Sequence, residues 1–209
     1  MSTPFQLIRY GMSALFAACL LTACAGSAPV QKQVYDFGPL ISPGTATAQT
    51  SQSKHLTLSL ADVQVAPALD SSAMLYRLLY DSPQQLKPYA QARWSMPPAQ
   101  LLAQRFKATL SAQGHWIVNA ADGAQDLPLL RMEIDEFAQV FPSASASNAR
   151  LQLRAVLFQG RKALAQRAFA IEVPASSADA AGGAKAMQSA CDQVIADLTQ
   201  WLQTLPSAR

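Results

Sequence analysis

Three successive segments in the second half of the chain alternate apolar and polar side chains with a period of two. In LLRMEIDEF, Leu130, Met132 and Ile134 point one way and Arg131, Glu133 and Asp135 the other. ARLQLRAVLF repeats the pattern, with Leu151, Leu153, Ala155 and Leu157 set against Arg150, Gln152 and Arg154. A corner at Gln159 to Lys162 then leads into ALAQRAFAIEV. Successive side chains of a β-strand leave on opposite faces, so these runs demand strands with one dry and one wet face. Short polar corners between them make an antiparallel meander the expected arrangement. A sheet with one dry face must bury it against another layer, which leaves few architectures.

The covering layer is legible too. SMPPAQLLAQRFKATLSAQG puts Ala99, Leu102, Phe106 and Leu110 on one helical stripe. Ser95 is its candidate N-cap, prolines occupy its first turn, and Gly114 stands at the C′ position. A second helix is expected from about Ser176 to Leu205, with Met187, Cys191, Val194, Leu198, Trp201 and Leu205 recurring at three- or four-residue steps. Ser176 and Asp179 have capping-box spacing. Earlier in the chain, Leu56, Leu58 and Leu60 alternate, and the phase shifts at Ala61–Asp62 before Val63 and Val65, as at a β-bulge. Met74 to Tyr80, apolar on both faces apart from Arg77, reads as a buried strand. The expectation is a single α/β domain: a mixed, mostly antiparallel sheet packed against two main helices.

The chain opens differently. Tyr10 to Leu21 is an apolar run preceded by one charge, Arg9, and it is shorter than the roughly 20 residues a spanning helix needs. It ends in LLTACAGS, where Leu21 and Ala23 stand before Cys24 as in a bacterial lipobox. Residues 1–23 are therefore expected to be a lipoprotein signal peptide and Cys24 the lipidated residue, carrying palmitate or a similar chain. An ordinary signal peptide that ends near a cysteine is the competing reading. Two or three acyl chains hold a protein on a membrane where one does not. By resemblance to known lipoproteins, Ala25 in place of an inner-membrane-retaining Asp points to the outer membrane, facing the periplasm.

Residues 24–33 then read as a tether and 34–205 as the domain, with a 206–209 tail. Within the domain, 41–54 is rich in Ser, Thr, Gly and Pro and too poor in apolar side chains to order itself, so a flexible loop is expected. Loss of Arg9 with the leader lowers the formal charge from +3 to +2, with no Lys/Arg runs, which argues against nucleic acid as a partner. Cys19 leaves with the leader and Cys24 takes lipid, so Cys191 is the single thiol of the mature chain and no internal disulfide can form.

Catalytic patterns are missing from the sequence. His55 and His115 are not in metal-ligand spacing, no HExxH or CxxC occurs, and both are expected to end strands at the surface. No metal or cofactor is expected. There is no GxSxG elbow, and Ser143, Ser145 and Ser147 fall in what reads as a loose hairpin loop. Glu133, Asp135 and Glu136 form the one carboxylate cluster, and two of them alternate onto the wet face of a strand. Gly182–Gly183 lacks the context of a phosphate cradle. The reading is of a protein that is not an enzyme. One concentration of contact-prone residues remains, with Tyr76, Tyr80, Tyr89 and Trp94 between prolines and polar residues. It is either a flap over the core or a surface for another protein, with Tyr89, Arg93 and Trp94 as candidate partner-binding residues.

The run YRLLYDSPQQLKPYAQARWSMPPAQLLAQRF, Tyr76 to Phe106, resembles the signature block of the ABC-type transport auxiliary lipoproteins, the family of paraquat-inducible protein C. The matching residues are Tyr89, Arg93, Trp94, Pro97, Pro98, Leu101 and Leu102. YDFGPL, LPLLRMEIDEFAQVF and DQVIADLTQWL follow the family pattern in order, while the Ala/Ser-rich stretch Ser143 to Asn148 departs from it. The resemblance implies a mixed sheet on helices and a non-catalytic role beside an ABC transporter and a mammalian-cell-entry (MCE) domain protein, in lipid transport between the two membranes. Expected partners are the MCE protein, the transporter complex and, through the lipid anchor, the membrane; homo-oligomerisation is left open. The alternative is a lipid-anchored cell-wall-binding module or hydrolase.

Overall fold

The structure is a computed structural model in which residues 32–40, 55–123 and 126–205 are described. The leader, Cys24, the rest of the tether through 31, the loop 41–54 and the tail 206–209 lie outside the described residues. In chain order the elements are β1 (Gln33–Tyr35), β2 (Thr57–Leu60), β3 (Gln64–Val65), β4 (Ala73–Leu78), β5 (Lys87–Trp94), α1 (Pro98–Ala112), β6 (Trp116–Asn119), β7 (Leu129–Ser143), β8 (Ala146–Gln159), β9 (Lys162–Pro174) and α2 (Ala180–Thr204).

All nine strands join one mixed sheet, and β7 is its spine. Along one edge β7 pairs antiparallel with β8, which pairs antiparallel with β9. These are the three alternating segments, and their tight turns at residues 144–145 and 160–161 hold the meander in register. Along its other edge β7 takes three short parallel partners in succession: β2 at Leu129–Leu130, β3 at Glu133–Ile134 and β4 at Gln139–Phe141. β6 extends the sheet beyond β2, and β5 then β1 extend it beyond β4.

The phase shift at Ala61–Asp62 is real. Leu60 pairs with Leu130 and Gln64 with Glu133, so four steps on one strand are matched by three on β7. A second irregularity makes Asp135 an extra residue on β7, because Ile134 faces Leu153 while Glu136 faces Gln152. After this bulge the run Phe137–Phe141 is buried on both sides.

The dry face carries Leu130, Met132, Ile134, Leu151, Leu153 and Ala155, all buried. α2 packs across β8 and β9 and meets α1. Its stripe of Met187, Cys191, Val194, Leu198 and Trp201 is buried, as are Ala99, Leu102, Phe106 and Leu110 of α1. Gly114 has φ +82° just past α1, the left-handed turn that a C′ glycine provides. The fold is thus the expected α/β layer pair, with a sheet more mixed than its meander.

Several local readings need correction. α1 begins at Pro98 with Pro97 as N-cap, not Ser95, because a residue that precedes a proline avoids the helical region, and Pro97 stays at φ −53°, ψ 145°. α2 begins at Ala180, not near Ser176, because Asp179 is itself the cap and its carboxylate accepts from the Gly182 amide at 2.8 Å. β4 is half-buried, with only Met74 fully enclosed, and Tyr80 lies beyond it exposed. The stretch around Ser145 is a tight turn, and Ser147 is buried. β1 starts at Gln33, one residue before the expected domain boundary.

Candidate docking surface

β5 carries the three candidate partner-binding residues, and the structure separates them. Trp94 is 2% exposed, with its ring edge-on to Phe37 and Phe137, both at 5.7 Å. Arg93, on the opposite face, is exposed and makes no ion pair among the described residues. Tyr89 is half-buried, its ring 4.8 Å from that of Tyr76. Between β4 and β5 the register jumps from Ala73–Arg93 to Leu75–Pro88, which lets Tyr89 and Trp94 both turn toward buried neighbours. Trp94 therefore belongs to the flap over the core, and Arg93 is the one member of the trio that presents its side chain to solvent.

Tyr89 leads into a buried polar network that the sequence did not disclose. Its hydroxyl donates to Gln139 Oε1 at 2.9 Å, and Gln139 Nε2 donates to Ser147 Oγ at 2.7 Å and to the Asp179 carbonyl at 3.0 Å. Ser177 Oγ donates to the Asp179 carboxylate at 2.8 Å. Burial raises the Tyr89 hydroxyl's pKa, helped by the charge of Asp179 and by Tyr76, so the phenol stays a proton donor. Hydrogen bonds from Gly182 and Ser177 hold the Asp179 carboxyl below its ordinary value. The network fixes the start of α2 against the sheet, and it explains Gly182–Gly183. A Cβ on Gly183 would overlap the Gln139 amide, and one on Gly182 would overlap Ser177. The signal was an isolated amide, Gln139, inside the apolar run FAQVF.

A second clamp joins the helices. The buried Arg105 guanidinium on α1 grips both carboxylate oxygens of Asp192 on α2, with Nη2 to Oδ2 at 2.8 Å, and its Nη1 donates to the Phe37 carbonyl at 2.7 Å. The fork geometry satisfies the buried charge, and the bond to Asp192 raises the arginine's pKa further. The segment after β1 is thereby tied to both helices.

One histidine also differs from expectation. His55 is exposed, but His115 is buried, edge-on to His55 at 6.1 Å, and its Nδ1 accepts from the Leu56 amide at 3.3 Å. Burial, then the neighbouring His55, lowers its pKa. Among the described residues no group of three or more His, Cys, Asp or Glu could hold a metal ion.

The wet face of the meander is a lattice of charges. Arg154 binds Asp135 at 2.8 and 2.9 Å and Glu133 at 3.0 Å, and Arg150 lies 3.3 Å from Glu172 and 4.0 Å from Glu136. The bond to Arg154 holds the Asp135 carboxyl below its usual range. The carboxylate cluster is thus consumed in ion pairs.

The sequence profile of the ABC-type transport auxiliary lipoprotein component family matches residues 39–199, from the segment after β1 nearly to the end of α2. The chain belongs to this family. Solved structures share the fold. A Xanthomonas campestris protein of the family DUF330 is 23% identical, covers 82% of this chain and 94% of its own, and superposes with a TM-score of 0.68. A second crystal structure, of an uncharacterized protein, is 18% identical over 82% of this chain and 99% of its own, with a TM-score of 0.63. No curated protein matches the chain significantly. Membership makes it an auxiliary lipoprotein component of an ABC-type transport system, and among the described residues no helix is long and apolar enough to cross a membrane.

Proposed function

We propose that this auxiliary lipoprotein is a non-catalytic docking component of an intermembrane lipid transport system, held on the outer membrane by Cys24 and facing the periplasm. Its partners are the MCE-domain protein and the ABC transporter that this protein feeds or receives from. The observation that carries the reading is the family match across residues 39–199, which takes in nearly every described element. Physical chemistry supports it. The carboxylates Glu133, Asp135 and Glu136 are engaged in ion pairs on the wet face, and Gln139 and Arg105 are engaged in the two clamps. Such a domain works by presenting a fixed surface. A permanent lipid anchor suits that task, since it holds one end of a transport bridge against the far membrane.

The experiment is affinity purification of the full-length lipidated protein from detergent-solubilised membranes, beside a Cys24→Ala variant. The wild type is expected to incorporate a palmitate analogue, to fractionate with outer membranes and to bring down the MCE protein. Cys24→Ala is expected to lose the label and remain as precursor. Undiminished labelling of Cys24→Ala contradicts the anchor, and recovery of the wild type from inner membranes contradicts the location.

A further inference from the structure

The wet face of the meander is not uniformly self-neutralised. Arg150 and Arg154, near its middle, each hold carboxylates. Arg131, one row further toward the β8–β9 turn, holds none among the described residues. Its guanidinium instead lies over the Phe158 ring, 4.9 Å from the centroid. Stacking orders an arginine without consuming its edge donors, so the planar fork stays free to take an oxyanion at little cost in side-chain entropy. Arg161 and Lys162, at the adjoining turn, are exposed and also unpaired among the described residues.

Arg131 lines a shallow groove of about 310 Å³ together with Val156, Phe158, Gln64, Gln166 and the ion pair of Glu133 with Arg154. Val156 sits opposite Arg131 on β8 and opposite Gln166 on β9, so these groups form one row across three strands. The groove thus combines an apolar floor, the amide of Gln166, one preordered cation and, on the next row, the amide of Gln64 opposite Glu133. Glu133 and Asp135 stand on the next row, bound to Arg154. With the charges of Glu133 and Asp135 answered by Arg154, the groove keeps one spare positive charge, which a protein segment can match with a single carboxylate.

We propose that this groove docks an acidic segment of a protein partner in the transport system, with a carboxylate on the Arg131 fork and an aliphatic neighbour against Val156 and Phe158. The proposal rests on the docking function above and adds to it the surface and the partner's chemistry.

The test is site-specific photocrosslinking in cells with the full-length lipidated chain, placing the photoreactive residue at Gln166 or, on the helix side, at Gln100. A crosslink from position 166 to an MCE or transporter component, lost in Arg131→Gln and partly restored in Arg131→Lys, is the expected result. The melting temperature should be unchanged in both variants, since Arg131 is an exposed residue on a wet face. Crosslinks to the transport system from other positions but not from 166 would overturn this surface and leave the docking function standing. A crosslink from 166 to phospholipid would overturn the choice of a protein partner. Absence of transport-component crosslinks from every position would overturn the docking function and this proposal with it.

Discussion

Replacing Trp94 by alanine separates a core role from a contact role for the block that carries the family's signature residues. The ring is 2% exposed and lies between Phe37 and Phe137. An aromatic side chain of this size buries about 150–250 Å², which at about 25 cal/mol per Å² is about 4–6 kcal/mol before allowing for burial in the unfolded chain. Two edge-to-face contacts add about 0.5–1.5 kcal/mol each, and relaxation of the cavity removes part of the total. The expected loss is about 3–5 kcal/mol, or a fall in melting temperature of about 6–20 °C for a chain of this size. Urea titration and thermal melts of Trp94→Ala measure it. Arg93→Ala, exposed on the other face of β5, should stay within about 0.5 kcal/mol of wild type. A loss below about 1 kcal/mol for Trp94→Ala, joined to a tenfold fall in partner affinity, would refute this placement.

Two further predictions come from the buried polar groups. Gly183→Ala should destabilise the protein by about 2 kcal/mol or more, although alanine in a helix interior ordinarily gains about 1 kcal/mol, and Gln139→Ala in the same chain should recover much of the loss; equilibrium unfolding of the double-mutant cycle reads this coupling. His115 has its pKa lowered in the fold, so the unfolded chain takes up a proton first, and stability should fall as pH drops through the ordinary histidine range near 6.5 toward the lower folded value. His115→Gln should flatten that slope in melts taken between pH 7.5 and 5, and an unchanged slope would remove the buried neutral imidazole from the account.

The meander was readable because a period of two over ten residues has one structural meaning, and Cys191 was placed correctly by its position on a helical stripe. The parallel pairing of β2, β3 and β4 along one edge of β7 was not readable. Period fixes which face a residue occupies but not which distant strand lies beside it, and those three strands are short. Tertiary contacts also overruled local signals. Ser176 and Asp179 have capping-box spacing, yet Asp179 closes on Gly182 and the helix starts later. His115 sits where a strand begins, which suggested exposure, but α1 and β2 enclose it through the turn at Gly114 and the Leu56 amide. In the signature block the residue types alone could not separate Trp94 from Arg93. Their alternation on β5, with a register jump before it, decides which side chain meets solvent.

The central claim, that this lipoprotein works by docking, is tested most directly by measuring the affinity of the purified full-length protein for the periplasmic portion of its cognate MCE protein. The account predicts saturable binding at micromolar concentration or tighter, with no turnover of ester, glycan or peptide substrates. No binding at those concentrations, or turnover of any such substrate, would contradict it.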